Sequence, residues 1–69
     1  MILVARGIDL FRQAEWAIFS SRPAQGRPFW TMLFQCRDYR MSREYGSLRD
    51  AQAGVAEAME LAALVAKQP

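Results

Sequence analysis

Phe29-Trp30-Thr31-Met32-Leu33-Phe34-Gln35-Cys36-Arg37 is rich in aromatic and β-preferring residues and reads as a β-strand. Successive side chains on a strand point to opposite faces. Trp30, Met32, Phe34 and Cys36 therefore share one face, and Phe29, Thr31, Leu33, Gln35 and Arg37 the other. Just upstream, Glu15-Trp-Ala-Ile-Phe-Ser-Ser-Arg22 offers a partner strand. The connection Pro23-Ala-Gln-Gly-Arg-Pro28 carries turn chemistry, since both prolines fix φ and Gly26 permits a positive one. An antiparallel hairpin follows.

On one side of this hairpin, Ile2 to Arg12 reads as a further strand with Gly7 as a bulge. A partly helical alternative begins at Asp9, because Leu10 to Trp16 contains good helix formers. On the other side, Asp38 to Tyr45 is either a turn with a short edge strand or a loop. A helix then begins at Ser47. Ser47-Leu-Arg-Asp50 sets a hydroxyl three residues ahead of a carboxylate, a variant of the capping box, and helix formers run on to Lys67.

On a 3.6-residue wheel, Leu48, Ala51, Val55, Ala58, Met59, Ala62 and Ala66 fall on one face, with Arg49, Glu57 and Glu60 opposite. The expected architecture is α+β: a small antiparallel sheet of two to three strands packed against one long C-terminal α-helix. Residues 1–69 form a single domain.

A domain this small buries only about 60% of the surface that its unfolded chain exposes, so it usually needs a staple. Cys36 is alone and histidine is absent, so neither an internal disulfide nor a structural zinc site is expected. Oligomerisation remains. From Leu61 to Ala66 every residue is apolar, and Leu64 points to the side that Glu57 and Glu60 occupy earlier. A helix apolar all round is buried all round. Leu61, Leu64 and Val65 are therefore the expected homodimer interface, with seven alanines between Ala51 and Ala66 allowing close backbone approach. A frayed or folded-back tail is the plainer alternative.

The start of the chain lacks the apolar length of a signal peptide or a membrane span, and a lone thiol suits a reducing compartment. The expectation is a soluble intracellular protein.

Catalysis is not expected. Without histidine, the commonest general base and the usual triads are excluded. Cys36 reads as a core thiol, because Arg37 points to the opposite face of the strand. Glu57 and Glu60 read as solvating charge, and the four glycines form no phosphate-cradling loop. No cofactor or metal is implied.

The segment suited to recognition is Arg37-Asp-Tyr-Arg-Met-Ser-Arg-Glu-Tyr45. Tyrosine and arginine dominate interface hot spots, and methionine adapts to irregular partners. Arg37, Tyr39, Arg40, Met41, Arg43 and Tyr45 are thus the candidate partner-binding patch. The plainer reading is an ordinary edge strand with a half-buried tyrosine. Trp16 and Trp30 read as core anchors.

Nucleic acid is the second partner class. A three-stranded sheet leading through Tyr45-Gly-Ser-Leu-Arg-Asp-Ala51 into a helix broadly looks like the arm-binding domains of phage integrases, which read DNA with the sheet. A net charge of +2 with one lysine is low for that role.

The patch from Arg37 to Tyr45, the alanine-rich tail and the total length together resemble the small anti-activator proteins of Pseudomonas phages. Those proteins bind a host quorum-sensing regulator of the LasR type and inhibit the type IV pilus assembly ATPase. The resemblance spans the whole chain and rests on no diagnostic motif. It implies a dimeric, non-enzymatic inhibitor of host proteins in the bacterial cytoplasm. Anti-CRISPR proteins look similar in size and composition.

Overall fold

The hairpin between residues 15 and 37 becomes the centre of the sheet. The computed structural model describes residues 1–66, with side chains as far as Leu64. The elements run β1 (Ile2–Asp9), β2 (Ala14–Ser21), β3 (Phe29–Cys36), β4 (Tyr39–Tyr45) and α1 (Leu48–Ala66). The strands pair antiparallel in the order β1-β2-β3-β4.

This corrects the strand count: the sheet has four strands, not two to three. The extra one is β4, where Arg40, Ser42 and Glu44 dilute the apolar signal. Their neighbours Tyr39, Met41 and Tyr45 keep the period of two, and all three pack against the core. Charge on the outward face hid a strand whose inward face is apolar except at Arg43.

Two further details differ from expectation. The strand expected to run from Ile2 to Arg12 ends at Asp9, and residues 10–13 form a turn, so the partly helical alternative from Asp9 does not form either. The Asp9 carboxylate accepts from the Arg12 amide at 3.0 Å and from its guanidinium at 2.7 Å. Gln13 closes the turn at φ 56°. The bulge in β1 falls between Leu3 and Ala5, while Gly7 stays in register opposite Trp16. Gly7 serves close approach instead: a Cβ there would meet the Trp16 indole at 2.6 Å.

The helix starts as its cap dictates. Ser47 Oγ accepts from the Asp50 amide at 3.0 Å, and the Ser47 carbonyl accepts the first helical bond from Ala51 at 3.1 Å. Lys67, at the expected helix end, lies outside the described residues.

The core lies between α1 and one face of the sheet. Its buried members are Ala14, Ile18, Met32, Phe34, Ala51, Val55, Ala58 and Ala62. Half of them are alanine, so the helix backbone comes down close to the strands. Three of the alanines expected to admit a second molecule therefore serve the chain's own sheet. Tyr45 lies against the backbone of Gly54, where any Cβ would overlap the phenol.

The helix sits over β3 and β4, touches β2 and does not reach β1. Trp16, laid across Gly7, is what covers the sheet on that side.

Candidate functional site

The register of β4 divides the arginine–tyrosine segment between two faces. Cys36 pairs with Tyr39, Phe34 with Met41, Met32 with Arg43 and Trp30 with Tyr45, which puts these β4 residues on the helix side. Tyr39 meets Phe34 edge to face, with centroids 6.1 Å apart and planes at 67°. Its hydroxyl donates to Met41 Sδ at 3.6 Å. Tyr45 is tucked against α1, and its hydroxyl is buried with no hydrogen-bond partner among the described residues. These three side chains are structural supports for the helix.

The arginines of the segment separate as well. Arg37 occupies the two-residue β3–β4 turn at φ 56°. Arg43 is exposed on the helix side, and Arg40 projects from the opposite face, level with Gln35. Arg37, Tyr39, Arg40, Met41, Arg43 and Tyr45 therefore do not form one surface. At the other expected interface, Leu61 and Leu64 are exposed. The side chain of Val65 lies outside the described residues.

What the structure assembles instead is a groove across the sheet face that α1 leaves bare. It has a volume of about 720 Å³. Two cross-strand rows build it. One runs Arg6, Ala17, Leu33, Ser42 from β1 to β4, and the next runs Ile8, Glu15, Gln35, Arg40. Ala17 and Ser42 are short, so the surface dips between them and their longer neighbours. Leu33 and Ile8 are exposed and make the apolar part of the lining. Arg6 and Arg40 stand in neighbouring rows on the two edge strands, and those strands lie three strand spacings or about 14 Å from each other.

Of the expected patch, Arg40 and Met41 line this groove, Arg40 with its side chain on the bare face and Met41 beside it on the strand. The signal for the rest was present in the sequence. A chain with one helix can cover one face of its sheet, so Leu33 and its neighbours had to remain a surface.

A second, smaller cleft of about 240 Å³ lies between the β1–β2 turn and the last turns of α1, lined by Phe11, Cys36, Met59 and Ala62 among others. Cys36 is half-buried there and donates its thiol hydrogen to the Arg12 carbonyl at 3.2 Å.

The Asp9 carboxyl is held below its ordinary value, first by the Arg12 amide and then by the Arg12 guanidinium. Among the described residues, no three His, Cys, Asp or Glu side chains gather to hold a metal ion. No described helix is long and apolar enough to cross a membrane. No protein-family model matches the chain, and no curated protein or solved structure matches it significantly.

Proposed function

We propose that the chain is a non-enzymatic binding protein that holds another protein on the uncovered face of its sheet. The groove over Ala17 and Leu33, between Arg6 and Arg40, is the observation that carries this reading. A span of about 14 Å accepts a helix, whose diameter is about 10–12 Å, or an extended segment. The apolar floor supplies contact area, and the two guanidiniums supply directed hydrogen bonds at its margins.

A protein partner fits this face better than nucleic acid. Arg6 and Arg40 share it with Glu15 and Glu44, so the face is nearly neutral. A phosphate backbone asks for a basic footprint, and its binding falls steeply with salt.

The whole-chain resemblance supplies the finer reading: a phage inhibitor acting in the host cytoplasm on a LasR-type regulator and the pilus ATPase. Those two proteins are the first partners to test. Wild type, Leu33→Glu and Arg40→Glu are titrated calorimetrically against each partner, with Arg22→Glu as a control outside the groove. A groove hot spot costs at least about 2 kcal/mol, or roughly 30-fold in affinity. The Leu33 and Arg40 variants should lose that much with unchanged circular dichroism, and Arg22→Glu should bind normally. Equal affinity across all four chains removes the groove from the reading.

A further inference from the structure

We propose that the occupant of the bare sheet face, given that this face holds a protein, is an amphipathic α-helix of the partner. It lies along β2 and β3, apolar toward the sheet, with a carboxylate on each flank for Arg6 and Arg40.

Backbone chemistry selects a helix. β2 and β3 are interior strands, each paired on both sides, so their amides and carbonyls are engaged in the ladders. The face therefore presents side chains and no free backbone. An extended segment laid on it would bury its own amides and carbonyls without partners. A helix satisfies its backbone internally and brings side chains alone. An extended segment belongs instead at an open edge, where it can add as a strand. β1 is such an edge: α1 does not reach it, and Ile2, Leu3, Val4 and Ile8 are exposed along it.

The floor has the dimensions of a helix. Phe19 and Ala17 on β2 and Thr31 and Leu33 on β3 run down its centre, with Ile8 beside them. Each of these strands has eight residues. That length is about 27 Å, which matches about 18 helical residues or five turns. The dip over Ala17 and Ser42 takes an apolar side chain of the helix. The opposite face shows how a helix fits this sheet. There α1 lies over β3 and β4, from Gly54 against Tyr45 to Met59 and Ala62 beside Cys36.

Charge sets the flanks. Arg6 and Arg40 form no ion pair among the described residues. They stand on the two edge strands, one on each side of the floor, so each flank of the helix meets a guanidinium. Glu44 shares the face with Arg40 on β4, and Glu15 stands within the floor on β2. Those carboxylates repel a uniform polyanion, so the match is an apolar stripe between acidic flanks rather than a run of acids.

The test uses three dye-labelled synthetic peptides of about 18 residues, titrated with the full chain at low salt by fluorescence anisotropy. The first has a leucine stripe with glutamates on both flanks. The second carries lysines in place of the glutamates, and the third is the first with two central prolines that break its helix. Wild type should bind the first at least about tenfold more tightly than either other. With Arg6→Glu and Arg40→Glu together, the preference should pass to the lysine-flanked peptide. Leu33→Glu should lose binding, and Ile2→Lys on the β1 edge should bind as wild type does, all with unchanged circular dichroism.

Three results overturn the proposal: a proline-broken peptide that binds as well as the intact one, a preference that charge reversal leaves in place, or binding lost through Ile2→Lys. Titration of the full-length regulator and ATPase separates two failures. If Leu33→Glu weakens a full-length partner while the helical peptide binds no better than the broken one, the face holds a protein but not by a helix. If neither partner nor peptide responds to Leu33→Glu, the groove itself falls as the binding surface.

Discussion

Gly54→Ala should destabilise this protein although it improves the helix. Alanine in a helix interior is favoured over glycine by about 1 kcal/mol. The new Cβ, however, would overlap the hydroxyl and outer ring carbons of Tyr45. Forcing one carbon into such a contact costs about 1–3 kcal/mol, because the ring must swing or the helix must lift. The net is a destabilisation of up to about 2 kcal/mol, which in a domain of this size lowers Tm by up to roughly 15 °C.

Tyr45→Leu removes the overlapping ring atoms and keeps an apolar side chain under the helix. In that background Gly54→Ala should instead stabilise by the full propensity gain, about 1 kcal/mol. The assay is thermal or urea unfolding of the four chains of this double-mutant cycle, followed by circular dichroism. A change of sign between the two backgrounds is the expected result. Gly54→Ala that stabilises equally in both would refute the Tyr45–Gly54 contact as the reason for glycine.

Gly7→Ala should cost about 1–3 kcal/mol by pushing the Trp16 indole off β1, and a red shift in tryptophan fluorescence reports the displacement. Arg37→Gly should raise stability by about 0.5–1 kcal/mol, because Arg37 sits at φ 56° where glycine is unstrained. Asp38→Gly, one residue on, lacks that benefit and should lower stability in the same melts. Asp9→Asn tests the turn by pH. A carboxyl depressed below its ordinary 3.8 lends stability above that value and loses it as pH falls through the folded one. Wild type should therefore exceed Asp9→Asn at neutral pH, with the gap closing as pH drops past 3.8.

The parts of the fold legible in the sequence are those set by local chemistry or strict period. The Ser47 cap, the two faces of β3 and the buried stripe from Ala51 to Ala62 all follow from side chains close together in the chain. β4 was less legible because its outward face is charged. Only pairing with β3 and cover from α1 show that Tyr39, Met41 and Tyr45 turn inward.

The same cause divided the expected binding patch. A run of arginine and tyrosine looks continuous in sequence, but a strand sends alternate members to opposite faces. Gly7 carried a signal without its meaning. A glycine within a strand marks either a bulge or a close approach, and the choice depends on Trp16 from another strand. The apolar β1 edge was not legible at all, since its exposure depends on where the helix lands.

Whether the uncovered sheet face holds the partner is read most directly by amide chemical-shift mapping of the isotopically labelled chain titrated with that partner. Perturbations should concentrate on Arg6, Ala17, Leu33, Arg40 and Ser42, leaving the helix from Leu48 to Leu64 quiet. Shifts confined to Tyr39, Arg43, Leu61 and Leu64, with Ala17 and Leu33 unmoved, would contradict the account.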